Sequence, residues 1–368
     1  MLNTFTPFML GMVEWKEDAD DEDEEFERLF PKGTRFTYDE IELALSIVEE
    51  ELEGLEYENQ RPYLEQKRRL LLKRLGAKAL ESNEFSKAIR TYKILNDTHA
   101  LRSAGYIAIE QGYPGSAVMA FQHLNDEEGI EKAVHAAMLV PEERRRAELM
   151  CIVDFTLDDA LALDMQEIKE ATKGKAHKGF HSQGTILSVI NAAYQLKDSY
   201  DVAVGVANGG IPISYVFSVA GWDIVMAKAC YEKNGHPEQG EKSAPEASYA
   251  WLDDSGKVRG KRVLILDDFF TTGKTLTRAI HEVRSCSPQT VGVCLERYRS
   301  EMQKVLEVKK GYPWSIASSG RDAALYDAES FVCGPEFPER FISFRDALKK
   351  RRRICISRLI YSLKKEVR

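Results

Sequence analysis

Residues 263–276, VLILDDFFTTGKTL, place an apolar run before two carboxylates and a loop of threonine and glycine. The run Val263–Leu266 has the composition of a strand that is buried on both faces. An amphipathic segment follows from Thr275 and predicts a helix. The amides at the start of that helix, together with the hydroxyls of Thr271, Thr272 and Thr275, form a small pocket that suits one phosphate.

The ending Gly273-Lys274-Thr275 is also typical of the phosphate loop of nucleoside triphosphatases. That motif needs a glycine five residues before its Gly-Lys-Thr glycine, and the chain has Asp268 there. A carboxylate at this position would repel a polyphosphate and cannot supply the turn. Asp267 and Asp268 instead suit sugar hydroxyls or a divalent cation. One phosphate beside a polyol predicts a sugar-phosphate site.

Strands and helices alternate in the second half of the chain, which predicts a parallel sheet with right-handed crossovers. The further strands are predicted at Val202–Ala207, Asp223–Ala227 and Gln289–Leu295. Ligands of such sheets bind at the edge where the strands end. That edge would carry, besides the threonine loop, Asn208, Gly209, Gly210, Lys228, Asp267, Asp268, Glu296 and Arg297. Two glycines allow backbone amides to approach a diphosphate, and Lys228 adds positive charge.

The stretch VLILDDFFTTGKTL resembles the signature of the type I phosphoribosyltransferases, and the resemblance covers roughly residues 175–320. It implies the α/β, parallel-sheet fold of that family. It also implies that the sugar donor is phosphoribosyl pyrophosphate (PRPP), with the cofactor Mg²⁺ carried on its pyrophosphate. No residue of the chain is expected to bind the metal directly, although Asp267 and Asp268 would lie near it.

The resemblance also implies a role for each matching residue. Asp267 and Asp268 match the acids that hold the ribose hydroxyls and support catalysis. The residues that match the loop around the 5-phosphate are Thr271, Thr272, Gly273, Lys274 and Thr275. The residues that match the pyrophosphate loop and its basic neighbour are Asn208, Gly209, Gly210 and Lys228. In the oxocarbenium-like state of this family, carboxylates stabilise the sugar while Mg²⁺ and Lys228 stabilise the leaving diphosphate.

The segment from about residue 38 to 140 has helical periodicity and an internal echo at a spacing of 29 residues. The matching pairs include Gly76 with Gly105, Ala79 with Ala108, Ala88 with Ala117, Tyr92 with Phe121, Asn96 with Asn125, and Asp97 with Asp126. The echo resembles a tetratricopeptide-like array of helical hairpins, with a shorter period. A helical domain of partly duplicated character is the alternative. Either form would offer a surface for a protein partner or for dimerisation.

The charge of the chain is unevenly distributed, although its net value is only -8. We expect an acidic tail over residues 1–34, a helical-repeat-like domain over 35–150, a phosphoribosyltransferase-type domain over 151–335 and a basic helix over 336–368. The basic helix is a candidate surface for nucleic acid, a membrane surface or the acidic tail. No apolar run is long enough to span a membrane.

The six cysteines show no CxxC pair and no metal-ligand spacing, so we expect a reduced, cytoplasmic protein. The first functional hypothesis is a Mg²⁺-dependent transferase, expected as a homodimer, that moves phosphoribose between PRPP and a nitrogenous base or nucleotide. The second is a regulator that senses PRPP or nucleotides, with the helical domain binding protein or nucleic acid. Retention of Asp267, Asp268 and Lys228 favours the enzyme, whereas the appended helical domain favours the regulator. Catalysis on an unusual acceptor is a third possibility.

Overall fold

The computed structural model describes residues 37–54, 58–173, 183–231, 247–269, 274–297, 323–328 and 333–364, together with Phe26, Leu29, Phe30 and Phe331. The chain divides into two compact units, Met1–Asp126 and Glu127–Arg368. The domain bounds expected from the sequence stay a prediction. In the part of the chain that the structure describes, no helix has both the length and the apolar composition needed to cross a membrane.

The described part of the first unit is built from helices, as predicted. The described helices are α1 (Tyr38–Glu53), α2 (Arg61–Glu81), α3 (Phe85–Leu95), α4 (Thr98–Glu110) and α5 (Pro114–His123). A capping box fixes the start of α1, because the carboxylate of Glu40 accepts a hydrogen bond from the amide of Thr37 at 2.7 Å and the Thr37 hydroxyl accepts one from the Glu40 amide. Buried side chains of α1 and α2, among them Ile41, Val48 and Leu71, form a core between these helices.

The 29-residue echo corresponds to the same packing contact made twice. In the first copy, a Cβ atom added to Gly76 on α2 would lie 2.7 Å from the ring of Tyr92 on α3. In the second copy, a Cβ atom added to Gly105 on α4 would lie 2.9 Å from the ring of Phe121 on α5. Each glycine is therefore required because an aromatic ring packs directly on the backbone of the preceding helix.

The turns of the two copies also match. Asn96 and Asn125, which follow the second helix of each pair, have φ angles of 52° and 53°. Asn83 and Gly112, which follow the first helix of each pair, have φ angles of 59° and 79°. Asparagine and glycine are the residues that most readily adopt this left-handed conformation at helix ends. The echo in the sequence therefore records both the contacts and the turns of a helix pair.

The second unit is an α/β fold. Its helices within the described ranges are α6 (Glu127–Leu139), α7 (Glu142–Ala171), α8 (Gln183–Gln195), α9 (Ile211–Val219), α10 (Lys274–Ser285) and α11 (Phe337–Lys364). The strands in the part of this unit that the structure describes are β1 (Val202–Ala207), β2 (Ile224–Tyr231), β3 (Ala247–Trp251), β4 (Arg262–Phe269), β5 (Thr290–Arg297) and β6 (Ala324–Asp327). The strand order is β3-β2-β1-β4-β5-β6, and every neighbouring pair is parallel except β2 with β3. The predicted parallel-sheet fold and the preceding helical region are confirmed.

Helices cover both faces of the sheet, which explains why the central strands are apolar throughout. On one face, Val204 of β1 and Ile265 of β4 share a buried cluster with Val283 of α10. On the other face, β1 packs against α9, and a Cβ atom added to Gly205 would lie 2.2 Å from the hydroxyl oxygen of Ser214. The central strands are therefore closely packed on both faces, and this packing supports the strand ends.

A buried carboxylate links the three helices α7, α9 and α11. Asp164 on α7 is fully buried and accepts hydrogen bonds from the hydroxyl of Tyr215 on α9 and from Nε of Arg352 on α11. Further along α11, Arg345 and Lys349 each pair with the carboxylate of Glu127 at 2.7 Å. Part of the positive charge of the basic helix is therefore used inside this unit.

Candidate functional site

The strand register brings the ends of β1, β2 and β4 to one edge of the sheet. Ala207, the last residue of β1, pairs with Lys228 of β2. Gly205 pairs with Leu266 of β4, so Asp267 and Asp268 follow at the same level as the end of β1. The structure therefore places the predicted pyrophosphate loop, its basic neighbour and the paired acids on the edge where parallel sheets bind ligands.

Gly209 lies directly against the carboxylate of Asp268. A Cβ atom added to Gly209 would lie 2.2 Å from Oδ1 of Asp268 and 2.6 Å from Oδ2. Any other residue at position 209 would push this carboxylate away, since ordinary contacts of this kind begin at 3.4 Å. The loop after β1 and the acids near the end of β4 thus form one continuous surface.

Gly210 fixes the loop to the backbone of two strands. A Cβ atom added to Gly210 would lie 2.4 Å from the carbonyl oxygen of Leu266 and 2.8 Å from that of Val206. The Gly210 amide donates to the Val206 carbonyl at 2.8 Å, and the Gly210 carbonyl accepts from the hydroxyl of Ser214 at 2.6 Å. Because these partners are backbone atoms or the first turn of α9, the loop is held from three sides.

Asp267 is a buried acid with an altered ionisation. It is 7% exposed, and its Oδ1 accepts a hydrogen bond from the amide of Asp268 at 3.0 Å. Burial, and then the neighbouring charge of Asp268, raise the pKa of Asp267 well above its usual range. A carboxyl of this kind can donate a hydrogen bond when it is protonated. When a cation lies nearby, it can lose its proton and stabilise that positive charge.

The remaining predicted residues are placed in part. Lys228 is half-buried on β2, next to Ala250 of the antiparallel strand β3. The backbone of Lys274 begins α10, and Thr275 is half-buried in the first turn of that helix. Residues 270–273 lie outside the described residues, as does the side chain of Lys274. The 5-phosphate loop therefore stays a prediction, and the described helix start is compatible with it.

The edge carries two further carboxylates. Glu296, at the end of β5, is 1% exposed, and Asp327 ends β6 in register with Leu295 of β5. Asp327 was missed because β6 is a four-residue strand whose first two residues are exposed. Burial, and then Asp327, raise the pKa of the Cys294 thiol. Within the described part of the chain, no group of three or more acidic, histidine or cysteine residues is arranged to hold a metal ion.

Comparisons with known proteins support the resemblance found in the sequence. Residues 180–311 match the family model described as the phosphoribosyl transferase domain. The chain is 26% identical over 110 residues to the transcriptional regulator GfcR of Methanocorpusculum labreanum, covering 30% of this chain and 51% of that protein. It is 32% identical over 98 residues to the orotate phosphoribosyltransferase of Pyrobaculum islandicum, covering 26% and 44%.

Among solved structures, the purine phosphoribosyltransferase of Pyrococcus horikoshii is similar at 22% identity and a TM-score of 0.26, over 32% of this chain and 76% of that one. The chain spans about half the length of the curated relatives it matches. The predicted resemblance to phosphoribosyltransferases is confirmed by the family match, which lies on the α/β unit.

Proposed function

We propose that the α/β unit binds PRPP at the edge formed by Gly209, Lys228, Asp267 and Asp268, and transfers its phosphoribosyl group to a nitrogenous base. The contact between Gly209 and the Asp268 carboxylate carries this proposal, because it joins the predicted pyrophosphate loop to an acid that is predicted to bind the sugar. One ligand that has a diphosphate next to a polyol fits both. The family match over residues 180–311 supports the same reaction class.

In this reaction the bond between C1 of the ribose and the pyrophosphate oxygen breaks while a ring nitrogen of the base bonds to C1 and releases its proton to solvent. The electron pair of the broken bond leaves on the pyrophosphate, which Lys228 and the amides after β1 would stabilise. The carboxylates of Asp267 and Asp268 would bind the ribose hydroxyls and lower the energy of positive charge that develops on the sugar.

Magnesium fits the residues at this edge. Mg²⁺ prefers oxygen ligands and usually keeps several of its waters, so it can be delivered on a diphosphate without a complete set of protein ligands. It would neutralise charge on the leaving group. The nearby acids would then face a cation, and the high pKa of Asp267 would fall towards its ordinary range when PRPP and the metal bind.

The first experiment is a calorimetric titration of PRPP with Mg²⁺ into the full chain, followed by a pyrophosphate-release assay over a panel of purine and pyrimidine bases. We expect PRPP to bind and one base to trigger release. The double variant Asp267→Asn, Asp268→Asn should abolish release and keep its fold by circular dichroism. The matched control is Glu167→Gln on the exposed surface of α7, which should behave as the wild type.

The outcomes separate the candidates. Absence of PRPP binding would refute the site assignment. Binding without release for every base would refute the nucleobase transferase. That result would favour the second candidate, a regulator that senses PRPP or nucleotides. The observation that favours this candidate is the similarity to a transcriptional regulator in a chain that also carries a separate helical unit. An affinity for DNA or for a protein that changes on addition of PRPP would support it.

A further inference from the structure

A second cavity lies at the opposite edge of the sheet from the PRPP site. It has a volume of about 800 Å³. Its walls are the starts of β1 and β2, the turn Ser255–Val258 and the last turns of α11. Since parallel strands run from this edge towards the acids, the cavity is one strand length away from Asp267. A volume of this size is within the usual range for a site that encloses a single small molecule.

Two carboxylates in the cavity wall make hydrogen bonds or an ion pair with neighbouring segments of the chain. Asp253 accepts hydrogen bonds from the amide of Met226 on β2 at 2.7 Å and from the hydroxyl of Ser362 on α11 at 2.8 Å. Asp201 pairs with Arg262 at 2.6 Å, and this partner lowers the pKa of Asp201 to about 2. These carboxylates hold β2, α11 and the start of β4 in place, and the positive charge of Arg262, with Lys261 nearby, offsets that of Asp201.

Three cations line the cavity from three separate segments of the chain. Lys257 comes from the turn after β3, Lys261 precedes β4 and Arg358 lies on α11. All three are exposed, and with the residues that the structure describes their side chains form no hydrogen bond and no ion pair. Positive groups that converge on one concave surface without fixed partners attract a polyanion, and phosphate oxygens suit both ammonium and guanidinium donors.

The same cavity offers aromatic surface and one carboxylate without a fixed partner. Trp222 forms part of the floor of the cavity but is only 6% exposed, because its ring packs against Phe217 and its Nε1 donates to the carbonyl of Ala193 at 2.8 Å. Tyr361 stands at the rim with 65% of its surface exposed. The exposed side chain of Asp223 makes no hydrogen bond or ion pair with other described residues, so it can accept from a hydroxyl. Cations that can donate hydrogen bonds to phosphate, an aromatic ring and a carboxylate that can accept from a hydroxyl therefore line one concavity.

We infer that this cavity is a second ligand site that binds a nucleoside diphosphate or triphosphate. Lys257, Lys261 and Arg358 bind the phosphates, the exposed ring of Tyr361 contacts the base, and Asp223 accepts from the ribose. A single concavity of about 800 Å³ favours one nucleotide over a nucleic-acid strand, which would need a row of cations along an extended surface. The inference does not depend on phosphoribosyl transfer at the other edge.

The test is calorimetric titration of ATP, GTP, CTP and UTP, with inorganic phosphate as a comparison, into the full chain. The cavity variant combines Lys257→Ala, Lys261→Ala and Arg358→Ala. The control variant removes the same number of charges at exposed residues outside the cavity: Lys169→Ala, Lys350→Ala and Arg353→Ala. We expect at least one nucleotide to bind the wild type and the control equally, and the cavity variant roughly tenfold or more weakly. Tyr361→Ala should weaken nucleotide binding and leave inorganic phosphate binding unchanged.

Competition with PRPP separates this site from the proposed transferase site. A nucleotide at the cavity should bind with the same stoichiometry in saturating PRPP and Mg²⁺. Displacement by PRPP, together with equal nucleotide affinity in the wild type and the cavity variant, would place the nucleotide at the other edge and overturn the inference. It would also be overturned if no nucleotide bound, if inorganic phosphate bound as tightly as nucleotides, or if duplex DNA bound in their place. None of these results depends on whether the chain transfers phosphoribose.

Discussion

Replacing each of the two adjacent glycines of the loop after β1 should separate the chemistry of the site from its stability. In Gly209→Ala the new Cβ would lie 2.2 Å from Oδ1 of Asp268, whereas ordinary contact begins at 3.4 Å. The obstacle is the end of a side chain, so the Asp268 carboxylate can retreat by about 1 Å. Misplacement of that size costs roughly 10²-fold in rate for a well-positioned catalytic group. We expect this loss in kcat/KM for pyrophosphate release, with little change in the free energy of unfolding.

In Gly210→Ala the new Cβ would lie 2.4 Å from the carbonyl oxygen of Leu266. This obstacle is backbone in the centre of β4, which cannot turn aside. Overpacking of this kind costs about 1–3 kcal/mol or more. Since each 1 kcal/mol lowers the Tm of a unit of this size by roughly 2–4 °C, the variant should unfold several degrees below the wild type.

The assays are pyrophosphate release at varied PRPP, PRPP affinity by calorimetry and thermal unfolding by circular dichroism. Gly334→Ala is the matched control, because its Cβ would meet no atom within 4 Å. Wild-type kcat/KM and wild-type PRPP affinity in Gly209→Ala would refute the placement of Asp268 at the ribose. A wild-type Tm in Gly210→Ala would refute the tight attachment of the loop to β4.

Three further predictions test other parts of the chain. Asp267→Asn should raise Tm relative to the wild type, and the gain should grow as pH rises above about 4. Because the pKa of Asp267 is raised in the folded state, the unfolded state releases this proton at a lower pH, and the wild type loses stability as pH rises. A gain in Tm that does not change with pH would contradict this explanation. Arg352→Ala should cost about 3–5 kcal/mol in urea unfolding, because it leaves a fully buried carboxylate without its cation, whereas the exposed neighbour Arg353→Ala should cost less than about 0.5 kcal/mol. Gly105→Ala should destabilise the helical unit by about 1–3 kcal/mol, since its Cβ would lie 2.9 Å from the ring of Phe121, and an unchanged unfolding curve would show that the ring can move aside.

The sequence predicted the central strands of the sheet because they are buried on both faces. Val202–Ala207 and Val263–Leu266 form apolar runs that suit little else, and both are strands. The two edge strands were not predicted. β3 pairs with one neighbour in the antiparallel direction and contains exposed residues, and β6 is four residues long with exposed residues at its start. Strands of that kind carry no continuous apolar signal.

The sequence could predict that the candidate site lies at the edge of the sheet where the parallel strands end, but not which of its residues touch. Knowing that strands end together puts Gly209 and Asp268 on one side of the sheet, 59 positions apart in the sequence. Their direct contact depends on the path of the loop after β1, for which the sequence carries no periodic signal. The cluster of Asp164, Tyr215 and Arg352 was also missed, because its partners are 51 and 188 residues apart and no local pattern marks them.

The position of α11 in the chain has a consequence for biosynthesis. During translation α9 and the sheet emerge before the helix that covers α9, since α11 (Phe337–Lys364) follows them in the chain. Until α11 has left the ribosome, Asp164 lacks the guanidinium that neutralises it, and apolar residues of α9 lack their cover. The α/β unit should therefore complete its folding only once α11 has emerged, and a nascent chain stalled shortly before α11 should be a substrate for chaperones and proteases.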